Sequence, residues 1–267
     1  MKNFISNYLI LVAFFSAIGI LLFKSFVLPL IHIYKIQFIG VFDFSDVTIV
    51  YTGAFFVISL ILAGTLTDYK ESERIPGEIA SNLESIEDWM ILGLKAPRIV
   101  NPSINTEPLD KEYVKNQLII SSNQIVSWIH SKEKDSLSIF PFIRNLNEVA
   151  YYYVLRGADR EAVKGIQENT NQLRKNLTRI YAISRTNFIK PAYTLAQSIL
   201  SIIIFLLLMA KFKTPIGDMV VTFSLSFVFI YLYFLIVSLD DPFNITSKTK
   251  VDLKPLYRFT DRLKDSF

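Results

Sequence analysis

The sequence predicts an all-α membrane protein: four transmembrane helices, with a helical cytoplasmic domain inserted between the second and the third. Of the 267 residues, 51% are apolar, and the mean hydropathy of +0.36 is high for a soluble domain. Four stretches carry almost no charge over the length that a helix needs to cross a bilayer. The long polar segment between the second and third stretches has helical rather than strand periodicity.

The four charge-poor stretches set the expected domain boundaries. They cover residues 4–23, 47–67, 189–210 and 219–239. A cleaved signal peptide is the competing interpretation of the first stretch, but apolar residues 25–33 follow Lys24 directly. This favours a retained span and a membrane-skirting segment broken at Pro29. The domains expected are residues 1–67 with spans one and two, 68–188 as the cytoplasmic helical domain, 189–239 with spans three and four, and 240–267 as a cytoplasmic tail.

Positive charge near the span ends predicts the orientation, because cytoplasmic flanks carry the excess of Lys and Arg. One side has Lys70, Arg74, Arg174, Lys175, Arg179, Arg185, Lys248, Lys250, Lys254 and Arg258, and the other has Lys24, Lys35, Lys211 and Lys213. Both termini and the insert are therefore expected in the cytoplasm, with an inverted topology as the alternative. Residues 67–188 hold 16 basic and 16 acidic residues, so the net charge of +4 reflects topology and not nucleic-acid binding.

The insert is expected to be a helical bundle. The helix of the second span can extend into it as far as Pro76. Amphipathic runs cover residues 78–94, 113–130 and 139–155, with a Pro-rich loop at 96–108. A longer helix begins at Asp159, and its apolar residues alternate steps of three and four as in a coiled coil. This seam consists of Val163, Ile166, Leu173, Leu177 and Ile180, with Thr170 among them. It packs either within its own subunit or between subunits.

Catalytic and metal-binding signatures are missing from the sequence. The chain has no Cys and two His, and it contains no phosphate-binding, nucleophile-elbow, zinc-protease or dinucleotide motif. No charged residue lies at the centre of a span, which disfavours a proton-driven carrier. Glu84, Glu87 and Asp88 are interpreted as a solvated helix face and not as catalytic carboxylates. We therefore expect no enzyme, no cofactor and no metal.

One face of the second span is weakly polar. Its members fall within about 100° of one another on a helix of 100° per residue. They are Thr48, Thr52, Phe56, Ser59 and Ala63, followed by Thr67. Such a face suits a narrow pore with a hydrophobic constriction. It equally suits close packing between helices, for which Gly53 and Gly64 lie on the adjacent face.

The fourth span ends in the sequence Asp240-Asp241-Pro242-Phe243. Two carboxylates cannot lie deep in lipid, and the residue before a proline leaves the helical conformation, so the helix should end here. A structural turn is favoured over a cation site.

Three short motifs resemble the bestrophin superfamily, and most closely its bacterial bestrophin-like members. Leu66-Thr-Asp-Tyr leads from the second span into Glu78-Ile-Ala-Ser-Asn-Leu. Arg185-Thr-Asn-Phe-Ile-Lys-Pro-Ala-Tyr-Thr is similar to the start of the family's third span. Leu239-Asp-Asp-Pro-Phe-Asn is similar to the turn after its fourth span. The resemblance covers the whole architecture, and the order and spacing of the three motifs carry it.

The resemblance implies a homo-oligomer, a pentamer, in the bacterial inner membrane, with the second span lining an anion pore and the insert forming a cytoplasmic vestibule. Its partners would be the lipid bilayer and small inorganic ions. Thr48, Thr52 and Phe56 would lie near the neck. The acidic calcium-clasping run of animal bestrophins is replaced by Asn244-Ile-Thr-Ser-Lys-Thr-Lys, so calcium gating is not expected. The alternative function is a non-conducting scaffold or sensor whose helical bundle binds a partner.

Overall fold

A computed structural model describes residues 2–27, 42–96, 108–131, 134–185, 190–240, 242–243 and 250–265. Its helices are α1 (Lys2–Leu22), α2 (Phe44–Lys95), α3 (Lys111–His130), α4 (Ile139–Leu155), α5 (Arg160–Arg185), α6 (Lys190–Met209), α7 (Pro215–Leu239) and α8 (Lys254–Asp265). A π-helical turn, Phe23–Val27, follows α1. Two short strands, β1 (Phe42–Asp43) and β2 (Ala210–Lys211), precede α2 and follow α6.

The chain divides into two compact units. The first unit consists of Met1–Tyr69 and Asn187–Asp241, and the second of Lys70–Thr186 and Pro242–Phe267. Several predicted features lie outside the described residues: the segment broken at Pro29, most of the 96–108 loop, residues 186–189 of the third-span motif, Asp241, and the 244–249 run.

Four helical segments in the described part of the chain are long and apolar enough to cross a membrane. They lie at Tyr8–Phe26, Phe44–Lys95, Ala192–Met209 and Pro215–Leu239. The prediction of an all-α chain with four long apolar helices is therefore confirmed.

One face of α2 forms the core of the first unit. Val47, Tyr51, Ala54 and Ile58 recur at steps of four, three and four, so they share one side of the helix and are buried. They pack against Ile203 and Leu207 of α6 and Phe229 and Ile236 of α7.

The α1 helix packs along α7 through small side chains. Ala13 and Ala17 of α1 are fully buried, which lets the two backbones approach closely in the manner of membrane helices. The ring of Phe14 meets Phe223 edge to face, with centroids 5.5 Å apart. The remaining α1 surface exposes large apolar side chains such as Phe15.

The α2 helix passes through Pro76 without ending. The sequence predicts a break there, because proline cannot donate to the carbonyl four residues earlier and its ring crowds the preceding turn. The structure has one helix from Phe44 to Lys95. Ile75 and Ile79, on either side of the proline, are buried in the core of the second unit, and this packing offsets the local cost. The expected break was wrong.

The second unit is built around the predicted seam of α5. Val163 is 9% exposed, and Ile166, Leu173, Leu177 and Ile180 are fully buried. They lie in one core with Ile79, Leu83, Ile86 and Met90 of α2 and Ile143, Leu146, Val149 and Ala150 of α4. The seam therefore packs inside its own chain.

Two glycines permit the close contacts of this core. A Cβ on Gly165 would overlap the indole of Trp89, and one on Gly93 would lie 2.5 Å from a ring carbon of Tyr153. The Tyr153 hydroxyl donates to the carbonyl of Met90 at 2.7 Å. Burial raises the pKa of Tyr153, so the hydroxyl keeps the proton that it donates.

The C-terminal helix α8 was not predicted, since the residues after 240 were treated only as a cytoplasmic tail. Leu256, Phe259 and Leu263 are buried in the core of the second unit. Their spacing of three and four was the available signal. The carboxylate of Asp252 accepts from the backbone N–H of Lys254 at 3.0 Å and so caps the start of the helix.

Polar contacts fix α8 against α3. The hydroxyls of Ser122 and Thr260 lie 3.0 Å apart, and the Tyr257 hydroxyl lies 2.6 Å from Nε2 of His130. Nδ1 of His130 lies 2.8 Å from the carbonyl of Val126, which can only accept. The proton therefore belongs on Nδ1, and Nε2 accepts from Tyr257.

An ion pair joins α8 to α2 and corrects one expectation. Nη2 of Arg262 donates to Oε2 of Glu87 at 2.6 Å, and the Glu87 side chain is 4% exposed. Glu84 lies farther away, at 3.8 Å. The interpretation of Glu87 as part of a solvated face was wrong, because α8 covers it.

Candidate pore-lining helix

The predicted stripe lies on the outward surface of α2 in the single chain. Thr48, Thr52, Phe56 and Ala63 are exposed, and Ser59 is half-buried. The Phe56 ring is 63% exposed. The stripe is thus separate from the face of α2 that packs into the core of the first unit, and it is available to a pore, lipid or a second subunit.

The threonine hydroxyls of the stripe donate to their own helix. Oγ1 of Thr48 donates to the Phe44 carbonyl at 2.9 Å, and Oγ1 of Thr52 donates to the Thr48 carbonyl at 3.1 Å. Thr67 bonds Ala63 in the same way at 2.9 Å. Because the protons point along the helix, the outward side of each hydroxyl presents oxygen lone pairs and a methyl group.

Gly53 and Gly64 lie on the face of α2 beside the stripe, and packing within the chain does not explain them. A Cβ on Gly53 or Gly64 would meet nothing within 4 Å among the described residues. These two glycines therefore do not serve a close helix contact inside the described part of the subunit.

The turn after the fourth span is held by backbone and lysine contacts. Asp240 is the C-cap of α7. Phe243 is buried in the core of the second unit, and the carbonyl of Pro242 accepts from the N–H of Val251 at 2.8 Å. The buried ammonium of Lys134 donates to the carbonyl of Phe243 at 3.3 Å. These contacts are those of a structural anchor; Asp241 lies outside the described residues.

A buried lysine in the first unit was missed. Lys24, interpreted as a flanking charge, lies in the π-helical turn after α1 and is 5% exposed. Its ammonium donates to the carbonyl of Leu207 and to Oδ1 of Asp218, both at 2.6 Å. The carbonyl of Ala210 and the hydroxyl of Thr222 lie at 3.3 Å. The available signal was that Lys24 and Asp218 both flank spans on the same predicted side.

Metal-binding geometry is not apparent in the described ranges, where no group of three or more His, Asp or Glu side chains could hold an ion. In the first unit, the buried ammonium of Lys24 pairs with the carboxylate of Asp218.

The fold and the exposed stripe together define a class of protein: an integral membrane protein with four long apolar helices and a further helical unit. Comparison with solved structures narrows this class. A bacterial bestrophin homologue from Klebsiella pneumoniae superposes with a TM-score of 0.70 at 12% identity, covering 97% of each chain. A mutated form of a bestrophin homologue from the same organism gives 0.72 at 11% identity, covering 97% of this chain and 98% of the other. A structure described as a membrane protein gives 0.71 at 11% identity, covering 97% of each.

The chain therefore has the bestrophin fold, and the resemblance predicted from three short motifs is confirmed at the level of the fold. No protein-family model matches the chain, and no curated protein matches it. The likeness is one of structure, at an identity where function does not follow from fold.

Proposed function

We propose that the chain is one subunit of a bestrophin-like homo-oligomeric channel that conducts anions passively through a pore lined by α2. The observation that carries the proposal is the outward stripe of Thr48, Thr52, Phe56, Ser59 and Ala63 on a helix whose other face packs into the subunit core. A symmetric ring of subunits would bring these stripes together around one axis. The bestrophin fold supports this use of the helix.

The assembly proposed is a pentamer in the bacterial inner membrane, with both termini and the second unit on the cytoplasmic side. Lys and Arg beside the spans support this orientation. The second unit would then serve as the cytoplasmic vestibule.

Phe56 is proposed as the constriction of the pore. It is the one aromatic ring among the five stripe residues, and an apolar ring at a narrow point blocks ions by excluding water. The stripe carries no fixed charge. Since the hydroxyl protons of Thr48 and Thr52 are bonded to the helix, selectivity for anions would need those side chains to rotate or backbone groups elsewhere to contribute. The ion selectivity must therefore be measured separately from conduction.

A non-conducting scaffold or sensor is the second candidate function. The outer face of α4 and the turn before it support this function, since Leu137, Phe140 and Tyr151 are each more than half exposed. They border an open groove of about 850 Å³ together with Arg144, Glu148 and Arg174. Exposed apolar surface rimmed by charge is typical of a protein-binding site.

Ion flux from liposomes containing purified protein separates the two candidates. We expect chloride flux from the wild type and faster flux from Phe56→Ala, because the substitution widens the constriction. Phe205→Ala is the matched control, since Phe205 is an exposed ring on α6. Inserted, oligomeric protein that carries no anion or cation would exclude the channel. Flux of cations without flux of chloride would retain the channel and refute the anion selectivity.

A further inference from the structure

Lys24, Asp218 and Thr222 form a buried polar cluster in the first unit, close to the start of α2, the helix proposed to line the pore. We propose that Lys24 is a positioning residue that fixes the N-terminal end of the α2 stripe, acting through the ring of Phe212. This inference rests on the proposed function for its consequence, but the contacts that carry it lie within the first unit of one subunit.

The ammonium of Lys24 joins three elements. It reaches the carbonyls of Leu207 and Ala210, where α6 ends and has backbone acceptors without helical partners. It also pairs with Asp218 in the first turn of α7, where a carboxylate is favoured by the helix dipole. The Thr222 hydroxyl donates to the same Asp218 oxygen at 2.9 Å. A buried charge with this many acceptors is held in one place.

Aromatic contacts extend this cluster to α2. The Lys24 ammonium lies 4.5 Å from the centroid of the Phe212 ring, within the range of a cation–π contact. Phe212 stacks on Phe44, the first residue of α2, with centroids 4.8 Å apart and an interplanar angle of 28°. Phe44 in turn stacks on the buried ring of Tyr51 at 5.6 Å. The Phe212 ring therefore lies between the Lys24 ammonium and the first residue of α2.

Backbone pairing reinforces the same connection. The strands β1 and β2 run parallel, with Phe42 opposite Ala210 and Asp43 opposite Lys211. Ala210 thus contacts the lead-in to α2 and offers its carbonyl to Lys24.

Phe44 connects this cluster to the first stripe residue, Thr48. The carbonyl of Phe44 accepts the hydroxyl proton of Thr48 at 2.9 Å. Positions 44 and 48 are also one helical turn apart, so a displacement of Phe44 moves position 48 even when cysteine replaces the threonine. In the described part of the chain, the ammonium of Lys24 itself contacts no stripe residue. Removing the Lys24 charge should change the exposure of Thr48 without altering the pore wall chemically.

The sequence contains no cysteine, so a thiol reagent modifies only a cysteine that is introduced by substitution. Thr48→Cys is made in the full-length chain, and its rate of modification by a membrane-impermeant thiosulfonate is measured in liposomes. Lys24→Met removes the charge and keeps the length of the side chain, while Lys24→Arg keeps the charge. Lys213→Met is the matched control, because Lys213 is exposed nearby.

We expect Lys24→Met to change the modification rate of Thr48→Cys by about tenfold, because loss of the cation–π contact lets Phe212 and Phe44 shift and so changes the exposure of position 48. Lys24→Arg should stay closer to the parent, and Lys213→Met should match it. Equal rates in Lys24→Met and the parent would overturn the proposal. If Lys24→Met does not assemble, Phe212→Leu replaces it, because it removes the ring and leaves the ammonium contacts in place; an unchanged rate there has the same meaning.

Labelling does not require a current, so the two proposals fail separately. A chain that carries no ions but shows the rate change refutes the channel and keeps the positioning role of Lys24. A conducting chain with unchanged Thr48→Cys labelling refutes the positioning role alone.

Discussion

Arg262 of α8 donates to the buried carboxylate of Glu87 on α2 at 2.6 Å, which joins the C-terminal helix to the core of the second unit. The carboxylate is 4% exposed and the arginine 54% exposed. We expect Arg262→Ala to lower the free energy of unfolding by about 1–3 kcal/mol, because a hydrogen bond to a buried charge is lost. Thermal unfolding in detergent measures this change in the free energy of unfolding. Arg258→Ala, at an exposed position on the same helix, should change stability by less than about 0.5 kcal/mol. Equal losses of stability in Arg262→Ala and Arg258→Ala would contradict a stabilising contact between Arg262 and Glu87.

The cap of α8 should depend on pH. The N–H of Lys254 lowers the pKa of Asp252 by bonding its carboxylate, so the folded state favours the ionised form. Its contribution is present above the unfolded pKa of about 3.9 and is lost as pH falls through the lowered folded pKa. The Tm difference between wild type and Asp252→Ala should therefore be full at neutral pH and shrink at acid pH. A difference that grows on acidification would show the sign to be wrong.

Gly165 and Gly77 should respond to alanine in opposite directions. At Gly165 the new methyl group overlaps the ring of Trp89, and overpacking of this kind costs about 1–3 kcal/mol. At Gly77 nothing lies within 4 Å among the described residues, so alanine should stabilise α2 by about 0.5–1 kcal/mol. Urea or thermal unfolding of both variants tests the packing of α5 against α2. Stabilisation by Gly165→Ala would mean that the helices are farther apart.

Polar substitution in the α5 seam should unfold the second unit. Leu173 is fully buried, and Leu173→Asn should cost about 3–5 kcal/mol by combining a lost apolar side chain with a buried amide. Gln172→Asn introduces the same residue one position away on the exposed face and is the control. Light scattering and thermal unfolding are measured together. A Leu173→Asn protein that stays folded but dissociates would show that the seam joins subunits.

The periodicity of apolar residues was sufficient to predict features that depend on neighbours along the same helix. The run at 139–155 corresponds to α4, Ile139–Leu155, and the spacing of Val163 to Ile180 located the buried face of α5. Helical spacing also placed the stripe of α2 on one face, and the structure exposes that face except for the half-buried Ser59.

Features that depend on distant partners were not predictable in this way. Lys24 and Asp218 are 194 positions apart, and Arg262 and Glu87 are 175 apart, so no local pattern pairs them. Pro76 misled the prediction because local propensity is overridden when flanking residues are buried. The sequence carries the amphipathic spacing of α8, but a helix of 12 residues gives a weaker periodic signal than the longer runs.

The most direct test of the central claim, that the α2 stripe lines an ion pathway, is cysteine modification during a current recording. Thr52 lies on the stripe, and Val50, 41% exposed, points about 160° away from it on the helix. In the cysteine-free chain we predict that a charged thiosulfonate changes the current of Thr52→Cys and leaves that of Val50→Cys unaltered. A current that is unaffected at a labelled Thr52→Cys, or affected only at Val50→Cys, would contradict the account.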